Sequence, residues 1–295
     1  MVKVKDIFAF SMGISSIVTS IHSYKAFALN TWRRTTLKNI YSNRFAMSSF
    51  EESPAETSES RSSVLIKNLQ FVQENISSAA VAAGRDSGSI RLVAVSKTKP
   101  GEDIKVLYDH GHRNFGENYF QELVEKAASL PSDIEWNFIG HLQSSKAPKL
   151  IRDVPNLAIV ETVDSLKLAK KLHSACESVG RDVLRIYIQV DTSNEDTKSG
   201  VSPEELEILV RSIVTECPML KIAGLMTIGA PGDLTCFDKL AASRESVAHI
   251  LGVEVSSLEL SMGMSGDFAE AIARGATSVR VGSIIFGERA YSKSK

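Results

Sequence analysis

Lys97 closes the apolar run Leu92-Val93-Ala94-Val95-Ser96 and precedes Thr98-Lys99-Pro100, a stop signal for a strand. An ammonium at the end of a buried strand is costly unless it meets a counter-ion, gives up its proton or condenses with a carbonyl. The last outcome would make Lys97 a Schiff-base lysine. The plain alternative is a strand-end lysine whose stem packs while its head reaches water. Two glycine-rich stretches late in the chain tip the balance. Ser261-Met262-Gly263-Met264-Ser265-Gly266 and Arg280-Val281-Gly282-Ser283 read as turns that open helices. There, backbone N–H groups and the positive end of a helix dipole make a phosphate cradle, with Ser265 and Ser283 adding hydroxyls. A Schiff-base lysine beside a phosphate cradle describes a seat for pyridoxal 5'-phosphate.

Arg280 is the second unusual charge, flanked by Val279 and Val281 in an apolar strand. A guanidinium stays protonated when buried and needs an acceptor. That acceptor is either the pyridine nitrogen of the cofactor, which would then stay unprotonated and withdraw electrons weakly, or a barrel carboxylate such as Glu161 or Asp191. Asn118 is either a helix cap before Tyr119 or a contact to the ring substituents. His141 is either a general acid/base or a side chain bonded within its own loop. Met226, Met262 and Met264 read as packing. His110-Gly111-His112 reads as the polar end of a helix rather than a metal site, because no Cys, Asp or Glu stands nearby at ligand spacing.

The elements that would position these residues alternate regularly. Strands are read at 91–97, 113–116, 135–140, 157–163, 185–191, 221–228, 257–262 and 278–282. A first helix with Val64, Leu65, Leu69, Val72 and Ile76 on one face precedes them. Helices between and around the strands are read at 101–110, 121–129, 144–152, 165–179, 202–217, 234–251 and 267–274. Ser202-Pro203-Glu204-Glu205 is a strong helix start, with Ser as cap and Pro in the first turn. Eight strands alternating with helices over about 230 residues point to a (β/α)8 TIM barrel. An open doubly wound sheet is the runner-up, weakened by the lack of a GxGxxG after the first strand.

The 295 residues are 43% hydrophobic and 23% charged, an ordinary globular composition. Residues 1–50 carry seven Lys/Arg against one acid, Asp6, which leaves 27 basic and 34 acidic residues beyond. A basic, Ser/Thr-rich leader before an acidic body reads as a mitochondrial or plastid transit peptide, not as a nucleic-acid arm. A start at Met47 would give a cytoplasmic form. The Ser/Glu-rich stretch 51–63 reads as a linker, and 64–295 as the barrel. Apolar runs fall short of the ~18 residues that a membrane span needs. Three widely spaced cysteines, Cys176, Cys217 and Cys236, give neither a disulfide framework nor a zinc signature.

Taken in order, Leu92 to Pro100, Asn114-Phe115-Gly116-Glu117-Asn118-Tyr119, Phe138-Ile139-Gly140-His141-Leu142-Gln143, Lys198-Ser199-Gly200 and Gly224-Leu225-Met226-Thr227-Ile228 are recognisable. With Leu260 to Ser265, Val279 to Ser283 and Ile285-Phe286-Gly287, they make residues 64–291 resemble the pyridoxal phosphate homeostasis protein family. The resemblance implies a single barrel like the N-terminal domain of alanine racemases, with pyridoxal phosphate held as an aldimine on Lys97. It also implies that Ser265, Gly282 and Ser283 hold the phosphate, that Arg280 faces the pyridine nitrogen, and that the protein keeps the free cofactor in balance without catalysing a reaction. Ser283-Ile284 departs from the family's usual Thr or Ser followed by Ala or Thr, but keeps the hydroxyl. An alanine racemase draws its second base from a tyrosine in a C-terminal β domain of the partner subunit; none is expected here, where Tyr291 lies in a short tail. The expected partners are pyridoxal phosphate and apo forms of pyridoxal-phosphate enzymes, with the protein itself a monomer. Two competing readings are an amino-acid racemase using Lys97 with His141 or Tyr119, and an aldolase in which Lys97 attacks a sugar phosphate.

Overall fold

A computed structural model describes residues 59–193, 199–230 and 232–288. The leader, the Met47 start, most of the linker, Asn194, Lys198 and Tyr291 lie outside the described residues.

The chain runs α1 (Arg61–Ala82), β1 (Arg91–Val95), α2 (Gly101–Asp109), β2 (Asn114–Glu117), α3 (Phe120–Ser129), β3 (Glu135–Phe138), α4 (Ala147–Asp153), β4 (Leu157–Val163) and α5 (Leu166–Val179). It continues through β5 (Leu184–Gln189), α6 (Pro203–Glu216), β6 (Leu220–Met226), α7 (Thr235–Leu251), β7 (Glu259–Ser261), α8 (Phe268–Ala273), β8 (Ser278–Val281) and α9 (Ser283–Phe286). The eight strands close into a barrel in sequence order, and β1 pairs in parallel with both β2 and β8. Strands covered on both faces need near-continuous apolar runs, and β4, β5 and β6 have them.

The spacing of Leu65, Leu69, Val72 and Ile76 puts all four on the buried face of α1. Fully burying each such side chain stabilises by roughly 1.5–3 kcal/mol. The start of α6 follows the sequence signal: Ser202 Oγ accepts from Glu205 N at 3.3 Å, with Pro203 in the first turn.

The main apolar core fills the space between the strands and the surrounding helices. A second, smaller cluster of Ile159, Tyr187, Ala223 and Met226 is separate from it. At the strand starts, Glu259 pairs with Arg91 and Arg185 and accepts from Tyr187 Oη at 2.6 Å. Charges from β1, β5 and β7 thus knit the N-terminal end of the barrel together, and the C-terminal end carries the loops.

Several boundaries differ from the sequence reading. Strand β1 ends at Val95, so Lys97 lies in a turn after the strand rather than in its last pair. Strand β7 is only three residues long, because a 3-10 turn at Val255–Ser257 occupies the stretch before it. Helix α4 begins at Ala147 rather than residue 144, the preceding residues forming a turn closed by Lys146 N to Gln143 O at 2.8 Å. Helix α9, whose opening turn but not its extent is legible in the sequence, follows β8 after Gly282.

Candidate functional site

The C-terminal end of the barrel holds a cleft of about 320 Å³. Its wall brings together all six residues that the sequence singles out: Lys97, Asn118, Ser265, Arg280, Gly282 and Ser283. They come from the ends of β1, β2, β7 and β8, the face on which such barrels place reactive groups.

Lys97 is partly buried. The residue before it, Ser96, is fully buried and donates through Oγ to Glu117 Oε1 at 2.7 Å. Burial pushes the Glu117 carboxyl above its usual range, against the pull of the Lys126 ammonium 2.7 Å away.

Asn118 follows β2. The backbone after the adjacent strand β3 passes so close that a Cβ on Gly140 would sit 1.9 Å from Asn118 O. Only glycine fits there. Asn118 Oδ1 is buried with no hydrogen-bond donor to receive, which is a cost unless a bound group supplies one. The cap reading does not hold, since the N-cap of α3 is Tyr119, with no side-chain cap bond.

Arg280 is buried at 5% exposure and extends from β8. Its Nη1 donates to Ser261 Oγ at 2.5 Å and its Nη2 to Thr227 O at 2.7 Å. Ser261 Oγ in turn donates to Glu161 Oε2 at 2.6 Å. The direct Arg280–Glu161 salt bridge weighed from sequence is therefore replaced by one relayed through a hydroxyl. Burial pushes the Glu161 carboxyl up and the Arg280 guanidinium down, while each charge offsets the other's shift. Arg280 also faces the cleft.

Two loops complete the wall. Gly263 adopts φ +91°, and a Cβ there would come within 2.6 Å of Ala271 Cβ, so the turn before α8 requires glycine. Ser265 Oγ accepts from Gly282 N at 3.4 Å, which ties the β7 loop to the β8 loop. Ser283 opens α9, whose first N–H groups have no intrahelical acceptor. From behind, Asn68 Nδ2 donates to Ile285 O at 3.0 Å and Arg61 Nη2 to Phe286 O at 2.9 Å, so α1 holds α9 in place. The Asp267 carboxylate accepts from Met264 N at 2.6 Å.

Sequence reasoning missed three features. Met264 lines the cleft and is 37% exposed, whereas Met226 and Met262 are fully buried packing, as read. Lys99 also lines the cleft and donates to Glu288 O at 2.8 Å. His141 is exposed, with Nδ1 3.3 Å from Ser199 Oγ and 3.9 Å from Asp164 Oδ2, partners from other loops rather than its own. Neither His141 nor Tyr119 stands on the cleft wall. His112 Nε2 contacts Asn114 O at 2.8 Å. Among the described residues no cluster of His, Cys, Asp or Glu could hold a metal, and no helix is long and apolar enough to cross a membrane.

A closed eight-stranded barrel with a lysine after β1 and glycine-rich loops after β7 and β8 defines a class, and the family model "Alanine racemase, N-terminal domain" matches residues 68–290. Within that class the "Pyridoxal phosphate homeostasis protein" of Mus musculus is 47% identical over 239 residues, covering 76% of this chain and 87% of that protein. Its Homo sapiens counterpart is 46% identical over 239 residues, covering 76% and 86%. The solved structure of PipY from Synechococcus elongatus PCC7942 with PLP bound is 30% identical, with a TM-score of 0.63, covering 76% of this chain and 100% of that one. The chain belongs to the pyridoxal phosphate homeostasis protein family.

Proposed function

We propose that this chain binds pyridoxal 5'-phosphate in the C-terminal cleft through a Schiff base to Lys97, and serves to buffer and carry the cofactor rather than to turn over a substrate. The observation that carries the reading is the shared wall of one small cleft, where Lys97, the Ser265 and Ser283 loops, Arg280 and the donor-less Asn118 Oδ1 meet. When bound, the cofactor supplies an aldehyde, a phosphate, a ring hydroxyl and a pyridine nitrogen. The wall offers a fitting residue for each. Lys97 meets the aldehyde, Ser265, Gly282 and Ser283 the phosphate, Asn118 the ring hydroxyl, and Arg280 the nitrogen. A cation that hardly ever gives up its proton keeps that nitrogen unprotonated and makes the ring a poor electron sink. The relay to Glu161 holds the guanidinium in place for this. The position of His141 and Tyr119 away from the wall supports a role without a second base.

Mixing the loaded protein with an apo enzyme that needs pyridoxal phosphate tests the carrier role. Activation faster than free cofactor alone achieves is expected, and transfer no faster than free exchange would overturn it. Incubating the loaded protein with single amino-acid enantiomers in heavy water separates carrier from racemase: no α-deuterium at turnover rates is expected, and rapid incorporation would establish an enzyme. The basic leader is proposed to direct the chain to mitochondria or plastids, with a cytoplasmic form from Met47. A reporter fused behind residues 1–58 is expected in the organelle, and diffuse signal would contradict that.

A further inference from the structure

Lys97 sits between two residues that are bonded to one ion cluster, buried at Glu117 and Lys126 and partly exposed at Glu122. Lys126, on α3, donates to Ser96 O at 2.9 Å, to Glu117 Oε1 at 2.7 Å and to Glu122 Oε2 at 3.0 Å. Its side chain is 10% exposed and that of Glu117 not exposed at all. Glu117 Oε1 also takes the Ser96 hydroxyl, and Glu122 Oε2 takes Thr98 N–H at 2.8 Å. Ser96 is thus bonded to Glu117 and Lys126, and Thr98 to Glu122, all members of one cluster.

Thr98 has φ +61° and is the only non-glycine residue with positive φ among the described residues. A β-branched side chain in that region is strained, and such a conformation persists only where its surroundings enforce it. Two contacts bear on it here: the turn bond from Lys99 N to Ser96 O at 3.0 Å, and the Glu122 carboxylate on the Thr98 N–H, which Lys126 contacts in turn. One ammonium serves both carboxyl groups, and the Glu122 oxygen that it contacts is also the acceptor for the Thr98 N–H.

We propose that Glu122, Lys126 and Glu117 are positioning residues for Lys97: they hold Thr98 in its left-handed conformation and so set where the Lys97 amine enters the cleft. This rests on the reading of Lys97 as the Schiff-base residue. None of the three touches the cleft wall, so they act through the Ser96–Thr98 backbone.

The test titrates the full chain with pyridoxal phosphate, follows the imine absorbance, and records the melting temperature of every variant alongside. E122A is expected to weaken imine formation by about 5- to 30-fold, the factor that one left-handed β-branched residue is worth. E122Q keeps an oxygen for the Thr98 N–H and should recover most of the loss. The decisive variant adds T98G to E122A: glycine takes positive φ without strain, so imine formation should return even though the carboxylate is absent. E122A titrating like the parent would overturn the proposal. So would a double variant no better than E122A, since the loss would then be one of general stability. If the parent itself forms no borohydride-reducible adduct on Lys97, the Schiff-base reading and this proposal fall together. A parent adduct with an unaffected E122A removes the positioning role alone.

Discussion

Lys97 and Arg280 stood out in the sequence because each is a cation set against an apolar run: Lys97 closes Leu92-Val93-Ala94-Val95-Ser96, and Arg280 lies between Val279 and Val281. Their outcomes differ. Lys97 faces a cleft, whereas Arg280 is satisfied on one side by protein and turns its other side to the same cleft. Replacing Lys97 with Ala should abolish the reducible link yet leave a weaker, phosphate-held cofactor, read as retained binding without imine absorbance. Replacing Arg280 with Gln leaves Glu161 buried without its cation, which should cost about 3 kcal/mol in denaturant unfolding. Adding E161Q removes the stranded charge and should recover most of that loss, a coupling that a double-mutant cycle reads directly. What the sequence could not supply was the intermediary: Ser261 is an ordinary strand serine until the closed barrel brings it between β4 and β8. Lys126 and Glu122 were equally silent, because an i,i+4 Glu–Lys pair usually marks a solvated helix face.

At the scale of elements, the glycine-rich turns after β7 and β8 were legible because positive φ and close backbone packing, as at Gly263 and Gly282, leave a composition signal. The extent of helix α9 was not, since four residues, Ser283 to Phe286, are too few to show a period. Strand ends were read two residues too long at β1, β3 and β5, as the buried stretch continues past the last ladder bond into loop residues such as Ser96 and Ile139. The approach of the loop after β3 to β2 is the tightest constraint on the site. In G140A the new methyl would overlap the Asn118 carbonyl, and the shift needed to relieve it should destabilise by about 1–3 kcal/mol. It should also weaken cofactor binding more than a surface substitution of equal destabilising effect, checked by titration beside unfolding.

For the whole molecule, the eight-fold alternation of strand and helix carried the barrel, and it needed no single residue to be right. Stability should fall with acid for a specific reason. His112, part-buried at the strand-start side of β2, is pushed down to about 4 by burial. Its folded state therefore stays neutral while the unfolded chain binds a proton below about pH 6.5. Stability present above pH 6.5 is lost as pH falls toward 4, by up to about 3 kcal/mol. In H112Q the pH dependence of unfolding across that window should flatten, and an unchanged slope would assign it elsewhere. Cofactor binding acts on the same balance from the other end. A ligand held only by the folded barrel at a hundred times its dissociation constant adds about 2.7 kcal/mol.

The most direct measurement is borohydride reduction of the full chain after incubation with pyridoxal phosphate, followed by peptide mass mapping. One dominant reduced adduct is expected, on the peptide that contains Lys97, with its yield lowered in R280Q and absent in K97A. Adducts scattered over exposed lysines, or a parent protein whose visible spectrum does not change on adding the cofactor, would contradict it.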